Sequence, residues 1–83
     1  MTHYVVLCDW AEDRTCESGV DIKAVAHTLE EAKEIFAEEV AYEKQFSEEN
    51  GWDVLTDTDT EFDAGHFGYY NAEHTHLCIQ EVK

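Results

Sequence analysis

Thr28 followed three residues later by Glu31, an apolar pattern of helical period opening at Leu29, and a closing Asn50-Gly51 pair commit the middle of this chain to one long helix. At 100° per residue, Leu29, Ala32, Ile35, Phe36, Val40, Tyr42 and Phe46 fall in a stripe about 160° wide. Glu30, Glu31, Glu34 and Glu38 lie opposite it. The spacing predicts a helix over 29–48. Such a helix can bury its stripe only against another element, and the flanks supply strands.

Thr2 to Asp9 carries Tyr4, Val5, Val6 and Leu7, β-favouring and apolar on both faces, as a central strand requires. Residues 11–18 are polar and end at Gly19, which suits a hairpin connection. Val20, Ile22 and Ala24 then alternate with Asp21 and Lys23, the pattern of a strand with one dry and one wet face, ending near His27. Trp52 to Thr56 reads as a third strand and His74 to Val82 as a fourth, with Leu77 and Ile79 toward the core. The seventeen residues between them exceed what a small domain leaves unstructured, so part of Asp59 to Tyr70 is expected to form a helical turn or an additional short strand. The predicted fold is α+β: a two-layer sandwich, mainly an antiparallel sheet of about four strands, covered by one long amphipathic helix in the order β-β-α-β-β.

With 83 residues, 43% of them hydrophobic, and no proline, repeat or low-complexity tract, one small domain over 1–83 is expected. Two Trp, four Tyr and four Phe argue against wholesale disorder. The first ten residues lack a basic segment, and their apolar run is too short for a signal peptide or membrane span. Cys8, Cys16 and Cys78 are odd in number and form no CxxC pair, so reduced thiols and a cytoplasmic location are expected.

Twenty acids against five Lys and Arg give a formal net charge of −15. Residues 28–63 hold thirteen acids against Lys33 and Lys44, so one region dominates the field. This balance repels nucleic acid and anionic membrane and favours a basic protein surface. Spread over the roughly 5,000 Å² that a domain of this mass exposes, the charge is about threefold sparser than on duplex DNA. Only a face that gathers the acids of the helix and the following loop approaches the density of a nucleic-acid mimic.

Four constellations carry possible chemistry. His74, His76 and Cys78 alternate along one strand and so share a face; imidazole and thiolate suit zinc, and His3 or Cys8 on a neighbouring strand could complete a tetrahedron. Spacing of i, i+2 is foreign to zinc fingers and knuckles, and a polar sheet face or an interface is the plainer reading. Asp57, Asp59, Glu61 and Asp63 alternate as in a calcium loop, but Phe62 and Gly68 occupy the positions where an EF-hand has Gly and Glu, which leaves weak, nonspecific divalent binding or, as the plainer reading, a solvated acidic loop. A cysteine nucleophile needs a lowered pKa, which the acidic field opposes. His66-Phe67-Gly68-Tyr69-Tyr70-Asn71 sets aromatics beside an acidic rim, either as an interface anchor or as plugs at the edge of a small core.

The segments Tyr4-Val-Val-Leu-Cys-Asp-Trp-Ala, His27-Thr-Leu-Glu-Glu-Ala-Lys and Gly68-Tyr-Tyr-Asn-Ala-Glu-His-Thr-His resemble short uncharacterised acidic proteins carried on bacterial mobile elements and prophages. The resemblance implies a bacterial cytoplasmic setting and an accessory or counter-defence role, and it transfers no site residue.

The sequence therefore leads to a non-enzymatic, protein-binding domain without cofactor. It would dock on a basic surface through Glu30, Glu34, Glu38, Asp57, Asp59 and Glu61, with Tyr69 or Tyr70 as anchor. The alternatives are a zinc-binding or metal-sensing domain using His74, His76 and Cys78, and a structural homodimer formed through a sheet edge or the His-bearing face.

Overall fold

The computed structural model describes residues 2–12, 17–67 and 72–83 and, of Glu17 and Phe67, the backbone alone. The elements run β1 (His3–Glu12), β2 (Glu17–Ala26), α1 (Leu29–Asn50), β3 (Asp53–Asp57), β4 (Glu61–Phe67) and β5 (Ala72–Val82). The strands form one sheet in the order β2-β1-β5-β4-β3, and each neighbouring pair is antiparallel. The fold is α+β, with one helix on an antiparallel sheet. The sheet has five strands where about four were expected: the extra one is β4, within the segment for which the length of the connection demanded structure. The order is β-β-α-β-β-β.

The helix begins as its capping box requires. Thr28 is extended, and its hydroxyl accepts a hydrogen bond from the Glu31 backbone N–H at 3.1 Å. At the other end Gly51 takes the left-handed conformation, with φ of 71°, and donates its N–H to the Ser47 carbonyl, which also accepts from Trp52 at 2.8 Å. The helix continues two residues beyond the expected end.

One face of the sheet carries the helix. Val6 and Cys8 of β1, Ala26 of β2, Phe62 and Ala64 of β4 and Leu77 of β5 close on Ala32, Phe36 and Val40 of α1 to form the buried core. Ladder partners agree with this: Leu77 stands between Cys8 and Phe62. Tyr42, expected in the buried stripe, is 67% exposed, because it lies about 120° around the helix from Phe36 and beyond the edge of contact. Ser47 takes a place in the buried stripe instead.

Strand β2 departs from simple alternation. Val6 pairs with Ala24 but Leu7 pairs with Ile22, so Lys23 is an extra residue and the strand changes faces there. Ala24 and Ala26 face the helix, whereas Val20 and Ile22 join Val25 on the opposite side. All three aliphatic side chains are more than half exposed. The expected dry face of Val20, Ile22 and Ala24 is thus split by the bulge. With α1 the one helix among the described residues, the second face of the sheet has no covering layer among them.

Candidate functional site

The acids singled out from the sequence divide into three groups. Glu30, Glu34 and Glu38 succeed one another at four-residue intervals along the outer, exposed side of α1, about 6 Å apart in axial rise. Glu31, Glu48 and Glu49 are exposed too. Asp57 at the end of β3 and Asp59 within the β3–β4 turn reach the helix: Lys44 Nζ lies 2.6 Å from Asp57 Oδ2 and Lys33 Nζ 3.0 Å from Asp59 Oδ2. The two lysines of α1 are thereby turned to one flank of the helix, over a cleft of about 270 Å³ floored by Phe36 and Val40. The turn itself is tied by Thr58, whose hydroxyl accepts from the Glu61 N–H at 2.9 Å.

Glu61 belongs to neither group. It pairs with Cys78 in the ladder, while its neighbour Phe62 is buried under the helix, so Glu61 projects from the opposite face of the sheet. The expected acidic set therefore does not lie on one surface: the helix acids and Glu61 look in opposite directions. Tyr69 and Tyr70 fall outside the described residues, and the anchor expectation with them.

His74, His76 and Cys78 do share a face, the one turned away from the helix. Cys8 lies on the helix side and is 5% exposed, so it cannot join them. His3 is on the shared face but opposite Val82, four residues along β5 from Cys78. Each imidazole meets a carboxylate from the adjoining strand. His76 Nδ1 donates to Asp9 Oδ2 at 2.9 Å, and its Nε2 lies 3.5 Å from Glu61 Oε2. His74 Nε2 contacts Asp63 Oδ1. The hydrogen bond to Asp9 is the chief reason that the His76 pKa is raised, with burial acting against it and Asp9, Glu61 and Asp63 adding to it. No three His, Cys, Asp or Glu side chains among the described residues are grouped to hold a metal ion.

Both described thiols are held protonated. Burial, aided by Glu43, pushes Cys8 up to about 11, with Lys23 opposing, and burial followed by Asp9 and Glu61 raises Cys78. Cys8 lines a cleft of about 310 Å³ between the C-terminal half of α1 and the sheet, together with Trp10, Lys23, Tyr42, Glu43 and Trp52. Glu43 is raised as well, first by burial and then by Glu39, against the pull of Lys23. Trp52 packs edge-on against Phe46, with ring centroids 5.1 Å apart. This aromatic cleft was not foreseen: its members are dispersed through the sequence and meet only because β1, β2 and the end of α1 converge. No helix among the described residues is long and apolar enough to cross a membrane.

No family model, curated protein or solved structure matches the chain.

Proposed function

We propose that this protein is a non-enzymatic binding domain that docks the outer face of α1 on a basic protein surface, as a small accessory factor in a bacterial cytoplasm. The observation that carries the reading is the disposition of charge on the helix. Lys33 and Lys44 are taken up by Asp59 and Asp57 on one flank, so among the described residues Glu30, Glu34 and Glu38 have no cation paired with them on the outer side. Exposed carboxylates of one sign, set on a rigid element and left uncompensated, attract a cationic partner at long range and align it on contact. The two lysine pairs are themselves exposed and contribute only ~0–1 kcal/mol each to stability. Their role in this reading is to sort charge between two faces of the helix.

A basic nucleic-acid-binding cleft is one such surface. The helix alone is too sparsely charged to replace a duplex. Its 22 residues span about 33 Å, and six exposed glutamates give roughly one charge per 5.5 Å, against one per ~1.7 Å of duplex axis. Inhibition of such a partner would therefore rest on occupying part of its cleft.

The test is capture from a bacterial lysate at low salt by the wild-type chain and by a Glu34→Lys, Glu38→Lys variant, each eluted with a salt gradient. One stoichiometric basic partner, held by the wild type to high salt and lost by the variant, is the expected result. A smear of basic proteins leaving early, or a partner that both chains retain equally, sinks the proposal.

A further inference from the structure

The face of the sheet opposite α1 carries an aliphatic patch centred on β2 and β1 and reaching β5. The bulge at Lys23 brings Val20, Ile22 and Val25 of β2 to that face, where they are 66%, 66% and 55% exposed. Val5 and Leu7 of β1 stand beside them, paired with Val25 and Ile22, and on the other side of β1 the face of β5 carries Cys78 and Val82 with Gln80 between them, opposite Val5. Isolated exposed aliphatics are ordinary on a protein surface, but a contiguous row on a rigid sheet marks a contact. Most polar members of the same face, His74, His76, Asp63 and Glu61, lie to one side on β5 and β4; Asp9, opposite Val20, is joined to them through His76, and His3 and Gln80 stand at the other end beside Val82 and Val5. An apolar centre with a polar rim is the usual anatomy of a stable interface.

We infer that a second copy of this chain covers this face, so that two sheets pack against each other and the two helices lie on the outside. Two features of the molecule favour a second copy over a different partner. One is charge. The one acid that borders the aliphatic patch, Asp9 opposite Val20, is already engaged by His76, so the patch offers a cationic partner little, whereas a second copy brings the same aliphatic surface. The Glu30, Glu34 and Glu38 stripe is on the far side of each protomer. Each protomer is 15 Å thick at its Cα atoms and packed sheets lie ~10 Å apart. The two acidic stripes would thus be separated by roughly 40 Å, about five Debye lengths at physiological salt. Repulsion between two chains of charge −15 is in this way screened where it is strongest.

The other feature is area. Strands of 10, 10, 5, 7 and 11 residues, at ~3.4 Å per residue and ~4.8 Å spacing, give a sheet face of roughly 700 Å². One partner in a standard stable interface contributes about 800 Å², so a second copy would cover nearly the whole face, its polar rim included.

The contact is isologous: Ile22 and Val25 of each copy lie over the patch of the other. It leaves the outer helix faces free, and its failure would not touch the docking proposal, which is tested on those faces.

Sedimentation equilibrium of the full chain, from low to high micromolar concentration at physiological salt, tests this inference. The expected species has twice the chain mass. Separate Ile22→Lys and Val25→Lys substitutions, at side chains exposed in the single chain, are expected to weaken the dimer by about tenfold or more. Circular dichroism should show the fold retained in both, and Glu34→Lys on the helix should dimerise at least as tightly as the wild type. A wild-type chain that is monomeric at every concentration overturns the inference. So does a dimer that survives both lysine substitutions while they leave the fold intact.

Discussion

Asp9 and His76 stand opposite each other on β1 and β5, and the Asp9 carboxylate accepts from His76 Nδ1 at 2.9 Å across 67 residues of chain. This contact holds the imidazole proton to higher pH than the ordinary value. A raised folded pKa stabilises the fold in one direction only. The contribution is complete below the unfolded imidazole value of ~6.5 and disappears as pH rises through the raised folded value. Melting temperatures of the wild type and of His76→Gln, taken from about pH 5.5 to about pH 8.5, are expected to differ most at the acidic end of that range and to converge toward the alkaline end. A gap that stays constant across the range would mean that protonation of His76 is not coupled to folding.

Cys8 is predicted to be unreactive in the folded chain. At a pKa of about 11, only roughly one thiol in 10⁴ is ionised at neutral pH, and the side chain is 5% exposed. Labelling with iodoacetamide, read peptide by peptide by mass spectrometry, should leave Cys8 unmodified under native conditions and modify it rapidly in denaturant. Labelling of native Cys8 at the rate of an unfolded thiol would show that the cleft beside Trp10 opens more readily than the packing implies.

The two ends of α1 differ in how they fail. Thr28→Ala removes the acceptor for the Glu31 N–H and is expected to cost about 1 kcal/mol. Gly51→Ala forces a side chain into the left-handed region at φ of 71° and is expected to cost about 1–2 kcal/mol. Apart from Gly51 and its two chain neighbours, no heavy atom lies within 4 Å of the position a Cβ would take there, so that cost arises from the local backbone alone. Gly51→Asn should accordingly recover part of it, as asparagine tolerates this conformation. Urea denaturation of the three variants measures these differences, and Asn behaving worse than Ala would contradict the backbone explanation.

These caps are also why the helix could be read from the sequence: Thr28, Glu31, Asn50 and Gly51 are local signals, and Phe36 and Val40 fall in the stripe that is buried. The sheet was legible only in part. Strand β4, Glu-Phe-Asp-Ala-Gly-His-Phe, contains residues poor in β propensity, and its identity rests on Phe62 and Ala64 packing under a helix formed some twenty residues earlier. Lys23 hides a change of face that alternation alone cannot show, because the bulge is defined by the partner strand. Of the candidate site, the exposed helix acids followed from helical periodicity, and the shared face of His74, His76 and Cys78 followed from strand periodicity. The partners of the two histidines did not: Asp9 reaches His76 through strand order, which no local pattern encodes.

Ser47 is a polar residue in the buried stripe of α1. It is 1% exposed, and its hydroxyl has no hydrogen-bond partner among the described residues. Its backbone carbonyl is in use, accepting from Gly51 and Trp52, so the position is needed for the helix end, but the side-chain oxygen adds nothing to that contact. A buried hydroxyl left unpaired carries a desolvation penalty, and serine is a poorer helix former than alanine. Removing one oxygen leaves a void smaller than a methyl group. Ser47→Ala is therefore expected to stabilise the chain by about 1 kcal/mol, seen as a higher urea midpoint with an unchanged slope. A loss of similar size would mean that the hydroxyl finds a partner in solution.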